Sequence, residues 1–179
     1  MPEVVLYIAA SLDGYIAAED GSVDFLKPYE QAGQDYGYAE FVKSLKAVVM
    51  GSRTYEQVLG FNLPEWPYQN LDTYVCTKRT LPTSADPRIW LWPDSVSQLA
   101  QQLPNEGRTW LVGGGALIDS FNAAGLIDRL LLAVIPVFLG KGVKLLHQPP
   151  PQTLLLENVT RYDNGVLMLD YRLQAQAPG

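Results

Sequence analysis

Three consecutive glycines, Gly113, Gly114 and Gly115, follow the apolar run Trp110-Leu111-Val112 and open a segment, residues 116–124, with helical apolar spacing. A glycine inside a regular element costs roughly 1 kcal/mol against alanine, so three in succession need a physical reason. At a strand-to-helix turn, bared amides and the positive end of the helix dipole favour an anion such as a pyrophosphate. A tight turn with close strand–helix packing accounts for the same glycines equally well. The dinucleotide fingerprint of doubly wound folds is not met, because Ile118 stands where a third spaced glycine belongs. The phosphate-loop pattern also fails, since no Lys-Ser or Lys-Thr pair follows.

A second turn repeats the design. In VVMGSRTYEQV (residues 48–58) a buried-strand pattern ends at Gly51, and Ser52-Arg53-Thr54 opens a helix. Ser52 or Thr54 can cap it, and Arg53 sets a cation beside the exposed amides. An ordinary capped helix with a solvated arginine is the alternative. Two such turns can grip the two ends of one diphosphate. Further on, Cys76-Thr77-Lys78-Arg79 closes another strand. Arg53, Lys78 and Arg79 together would make a local pocket for one more phosphate, or each is simply a surface charge.

The elements that must hold these turns alternate along the chain. Short apolar runs rich in branched residues at 4–10, 47–50, 73–76, 89–92, 109–112 and 130–137 read as strands. Helical patterns lie between them at about 35–45, 54–59, 95–103 and 116–124, with Asp94 or Ser95 to cap the third and Gly125 to end the fourth. This alternation predicts an α/β fold, a mixed but mainly parallel sheet with flanking helices. Two last strand-like runs, 153–162 and 166–173, flank Asp163-Asn164-Gly165 and predict a C-terminal antiparallel hairpin. The stretch 61–71, with Pro64, Trp66 and Pro67, reads as a surface loop flanking a cleft.

With 179 residues, 47% of them apolar, the chain reads as one globular domain, 1–179, able to bury roughly 70% of its unfolded surface. One cysteine, Cys76, and one histidine, His147, exclude an internal disulfide and an ordinary zinc set, and with it a zinc deaminase module. A net charge of −6 argues against a nucleic-acid or membrane surface. The opening MPEVVLYIAASLDG reads as a first strand and not as a signal peptide, and no run approaches the ~20 apolar residues of a membrane span. A soluble cytoplasmic protein is the expectation.

Taken in order, VVMGSRTYE, TYVCTK and WLVGGGALIDSF resemble dihydrofolate reductase. The opening AASLDGYIA and the later PVFLGKGVKLL are closer to the riboflavin-pathway reductase domain (the RibD C-terminal domain) that shares that fold. The resemblance runs from about Val4 to Leu146. It implies a three-layer dihydrofolate reductase-like fold that binds NADPH across the strand ends. Ala10 and Ile16 would border the nicotinamide, and Gly51, Ser52, Arg53 and Thr54 would hold phosphate. Thr77 and Lys78 would meet the adenosine 2′-phosphate, while Gly113, Gly114, Gly115, Ala116 and Leu117 would face the pyrophosphate and nicotinamide. It also implies a cis peptide between Gly113 and Gly114, and a homodimer.

Dihydrofolate reductases carry a carboxylate on the helix before the MG strand, and Asp35 stands at the matching distance from Gly51. In an apolar cleft such an acid would have a raised pKa and help protonate a substrate nitrogen; otherwise Asp35 caps its helix. Asp24 and Glu40 are rival acids, and Asp13 in SLDG reads as a turn residue beside Gly14. The lysine usual ahead of SLDG in the riboflavin-pathway domain is replaced by Leu6-Tyr7-Ile8, and its histidine–arginine pair has no counterpart. The expected function is therefore an NADPH-dependent reductase passing a hydride to a C=N or C=O bond of a small heterocycle, pterin- or pyrimidine-like. The alternatives are the riboflavin-pathway 5-amino-6-(5-phosphoribosylamino)uracil reductase and a non-catalytic NADPH-binding module.

Overall fold

The computed structural model describes residues 2–82 and 86–174. Along the chain come β1 (Glu3–Ser11), β2 (Tyr15–Ala17), α1 (Tyr38–Lys43), β3 (Leu45–Gly51), α2 (Ser52–Gly60), β4 (Asp72–Cys76) and β5 (Ile89–Trp92). They are followed by α3 (Val96–Ala100), β6 (Arg108–Gly113), α4 (Gly115–Ala123), β7 (Arg129–Ile135), β8 (Val143–Lys144), β9 (Leu154–Arg161) and β10 (Leu167–Leu173). A short 3-10 helix, Asp24–Tyr29, lies between β2 and α1.

Eight strands form one sheet in the order β5-β4-β3-β6-β1-β7-β10-β9, and β2 pairs with β8 in a small second sheet. From β5 to β7 all neighbours are parallel, whereas β10 and β9 are antiparallel. The fold is thus the mixed, mainly parallel α/β sheet with a terminal hairpin. Winding turns back around β1, whose neighbours are β6 and β7. In open α/β sheets ligands bind beyond the carboxyl ends of strands at such a switch point. Register makes those ends level, with Gly51 opposite Cys76 and Met50 opposite Gly113.

Alternation along the central strands divides the core. Val4, Leu6, Val49 and Leu111 pack with Leu99 of α3 and Ile118 and Phe121 of α4. Val5, Val48, Met50, Val75 and Trp110 pack with Phe41 of α1 and Tyr55 of α2. Helices therefore cover both faces, and the middles of the central strands, such as 47–50 of β3, are apolar on both sides because neither meets water.

Several boundaries differ from the sequence expectation for local reasons. The first helix begins at Tyr38, not at 35, because Tyr36 and Gly37 take positive φ (54° and 83°). It also ends at Lys43, and Leu45 already belongs to β3. No side chain caps α2, where Gly51 holds the N-cap position. Ser95, not Asp94, caps α3, in a reciprocal pair with Gln98, and Gly125 (φ 65°) follows α4 as expected. In the hairpin only Gly165 has positive φ (89°), with its amide donating to the Tyr162 carbonyl at 3.0 Å. The turn is therefore a three-residue loop with a bulge glycine, not a two-residue Asn-Gly turn.

Candidate functional site

The turns after β3 and β6 meet at the carboxyl end of the sheet. A Cβ on Gly51 would lie 3.9 Å from both the Gly113 carbonyl oxygen and the Gly114 nitrogen. Between the turns lies a cavity of about 450 Å³, lined by Gly51, Ser52, Arg53, Thr54, Cys76, Gly114, Gly115, Ala116, Leu117 and Ser120. Neither α2 nor α4 has a side-chain cap. Two helix N-termini thus open on one space with their first-turn amides uncapped, the electrostatic design for a bound anion.

The three glycines have three different reasons. Gly113 needs glycine for its φ of 124°. A Cβ on Gly115 would press on Val143 Cγ1 at 3.4 Å and on His147 Cε1 and the Lys144 oxygen at 3.5 Å. At Gly114 φ is an ordinary −77°, and an added Cβ would meet only Thr54 Oγ1, at 3.7 Å. The room beside Gly114 therefore belongs to the cleft and not to protein packing. The Gly113–Gly114 peptide is cis.

Arg53, Thr54, Gly114 and Gly115 also border a larger cavity of about 790 Å³. Its walls include Ile8, Ala9, Ile16 and Val143 toward the glycines, and the rings of Tyr7, Tyr38 and Trp110. Of the residues singled out in the sequence, Ile16, Gly51 to Thr54 and Gly113 to Leu117 thus gather around these joined spaces. Ala10 is buried, and its neighbours Ile8 and Ala9 reach the cavity in its place. Thr77 and Lys78 line neither cavity but directly follow Cys76, which does.

Charges near the strand ends are unequal. Arg53 is exposed and has no ion pair among the described residues. Arg79 is held by Glu56 at 2.8 Å, so it does not join Arg53 and Lys78 as an unpaired third cation. The Thr77 hydroxyl accepts from the Arg79 amide at 3.0 Å. Burial pushes the Cys76 thiol up to about 11, which leaves it an inert lining group.

Asp35 does not line either cavity. Its carboxylate accepts from the Gly37 and Ala39 amides, both at 3.0 Å, and those bonds, Ala39 first, hold its pKa below the usual value. The raised pKa expected of a proton donor is absent, because each oxygen already caps the turn into α1. The rival acids are likewise committed, Asp24 to Lys27 at 2.8 Å and Glu40 to Lys43 at 2.5 Å.

Asp13 does more than serve its own turn. It accepts from Ser11 Oγ at 2.6 Å and, across the chain, from the Leu139 and Gly140 amides at 3.1 and 2.7 Å. The SLDG and LGKG motifs are therefore one clasp, and the segments after them carry Ile16 and Val143 into the cleft wall. His147 meets Asp119 of α4, Nδ1 to Oδ2 at 2.6 Å, and fixes the segment beside Gly115. Sequence reasoning missed these pairings, since contacts of such separation leave no periodic signal. It also missed the aromatic wall of Tyr7, Tyr38 and Trp110, which comes from three separate elements.

The chain as a whole matches a known family and fold. The model of the RibD C-terminal domain family matches residues 2–168. The chain belongs to this family. YwjB of Bacillus subtilis is 36% identical over 172 residues, covering 94% of this chain and 97% of that protein. Among solved structures, a putative riboflavin biosynthesis protein from Shewanella sp. PV-4 superposes with a TM-score of 0.85 at 24% identity, covering 97% of this chain and 99% of that one. A diaminohydroxyphosphoribosylaminopyrimidine deaminase/5-amino-6-(5-phosphoribosylamino)uracil reductase from Thermotoga maritima gives 0.70 at 18% identity, over 97% of this chain and 57% of its own. At these identities the two structures speak to the fold alone. Among the described residues of this RibD C-terminal domain, no helix is long and apolar enough to cross a membrane.

Proposed function

We propose that this RibD C-terminal domain protein is an NADPH-dependent reductase that passes a hydride to a C=N or C=O bond of a small heterocyclic substrate. The observation that carries the reading is the convergence of two uncapped helix N-termini and Arg53 on a space continuous with an aromatic cavity. The room at Gly114 fits a cofactor whose phosphates pass against the backbone. Bound there, NADPH would supply the hydride.

The chain's own groups have distinct tasks in this reading. First-turn amides of Ser52, Arg53 and Thr54 hold phosphate from one side, and those of Gly115 and Ala116 hold it from the other, with Leu117 packed beside them. Arg53 adds a fixed cation, and Thr77 and Lys78 lie at the rim for the 2′-phosphate. Gly113 and Gly114 would lie against the bound cofactor, and Ile16, Ala9 and the strand at Ala10 would border its nicotinamide. Ile8, Ile16 and Trp110 would wall the reacting bond on its apolar side and orient it, leaving the cavity mouth to water. Asp35 serves here as the cap of α1, and solvent at the cavity mouth delivers the substrate proton.

Turnover tests the reading. The protein is incubated with NADPH and a panel of pterins, pyrimidines and related imines and ketones, and nicotinamide absorbance is followed. Consumption with a panel member supports a reductase. Binding of NADPH without consumption by any of them points to the non-catalytic module instead.

A further inference from the structure

We infer that the substrate is a planar heteroaromatic compound, neutral or cationic and without a phosphate group, stacked against Tyr38. This rests on reading the glycine end of the cleft as the nicotinamide and pyrophosphate site. Away from those glycines, the larger cavity is walled by Tyr7, Tyr38, Trp110, Val23 and Leu26. Tyr38 leaves 41% of its surface exposed there. Its ring stands 5.8 Å from that of Trp110 at 71° and 6.0 Å from that of Tyr7 at 55°. The Trp110 indole N–H donates to the Tyr7 carbonyl at 3.1 Å, so the wall is fixed in advance. Preset aromatic faces favour a flat ring, and a cationic one equally well.

The charges decide the rest. Among the described residues lining this cavity the one cation is Arg53, which stands at the start of α2 and also borders the phosphate space. Glu19 and Asp20 are the carboxylates of the same lining, and Glu19 is already paired with Lys141 at 2.7 Å. A chamber of about 230 Å³ adjoins behind Tyr7, Leu26 and Tyr38, and its charged lining residue is Glu30. Burial pushes the Tyr7 phenol up to about 12 and raises that of Tyr38, so both rings stay neutral. A phosphate monoester needs cations or several N–H donors. With Arg53 engaged by the cofactor and Lys141 already held by Glu19, the described lining supplies a buried phosphate with no further cation beside Asp20, a costly burial.

The test titrates the protein, saturated with NADP⁺, with three probes: pyridoxine, pyridoxine 5′-phosphate and 2,4-diaminoquinazoline. Calorimetry reads the affinities. The expected result is binding of pyridoxine and diaminoquinazoline, with the phosphate ester at least tenfold weaker than pyridoxine. Tyr38→Ala should weaken the bound probes tenfold or more and change NADP⁺ affinity less than twofold, while Tyr38→Phe restores them. Asp20→Lys should narrow the gap between pyridoxine and its phosphate. Equal or tighter binding of the phosphate ester, indifference to Tyr38→Ala, or binding of none of the probes to the NADP⁺ complex would overturn the inference and leave the cofactor reading standing. Failure of NADP⁺ itself to bind would remove both.

Discussion

At the scale of single residues, Arg53 and Asp13 carry the sharpest expectations. Arg53 is exposed at the head of α2 without an ion pair among the described residues, so its charge is available to a ligand. A charge-assisted contact is worth about 1.5–3 kcal/mol. Arg53→Ala should therefore weaken NADPH binding roughly tenfold or more, as read by fluorescence titration. Asp13 gives a pH signature. Ser11 first, then the Gly140 and Leu139 amides, hold its carboxyl below the ordinary value of 3.8. A depressed acid stabilises the folded state above that ordinary value and loses the contribution as pH falls through the lower, folded one. Acid titration should accordingly loosen the 11–14 to 139–140 clasp before global unfolding, and Asp13→Ala should abolish that step in hydrogen exchange at Leu139 and Gly140. Asp35 illustrates what one position in a sequence conceals. Its spacing from Gly51 fitted both acid and cap, and only the positive φ of Tyr36 and Gly37 turns both carboxylate oxygens toward backbone amides.

At the scale of elements, strands and glycine turns were legible because buried parallel strands leave unbroken branched runs and because three glycines in succession need a physical reason. The strand at Ile89–Trp92 matches its expected limits, and the expected helix at 116–124 became Gly115–Ala123. The two-residue β8 and three-residue β2 were invisible, being too short for any period to register. Their pairing shapes the cleft wall and depends on Gly142. There φ is 149°, and a Cβ would come within 2.2 Å of the Ala17 carbonyl oxygen. Gly142→Ala should thus lower stability by about 1–3 kcal/mol. Gly114→Ala should do the opposite, costing little stability and weakening NADPH binding more than tenfold, because its methyl group enters the cleft and not the core. Chemical denaturation and cofactor titration on the two variants separate packing from recognition. A large loss of stability in Gly114→Ala would return that glycine to a structural role.

For the whole molecule, the sheet ends at β5 and β9. Along β9, Leu155, Leu156 and Val159 are 51%, 47% and 47% exposed, an apolar edge that a solitary chain would leave open to pairing. We expect a homodimer formed through this edge, with light scattering giving about twice the 19.8 kDa chain mass and Leu156→Glu/Val159→Glu returning a monomer. The family and its mainly parallel sheet were readable from ordered motifs spanning most of the chain. The aromatic end of the cleft was not, since tyrosines and tryptophan from β1, α1 and β6 converge only after folding. In the proposed site, two helix N-termini and Arg53 would hold the phosphates of NADPH. Isothermal calorimetry of the wild-type protein with NADPH and NADH tests it most directly. One NADPH should bind per chain, at least tenfold more tightly than NADH. Equal affinity for the two would contradict the 2′-phosphate assignment, and no heat with either would contradict the cofactor site itself.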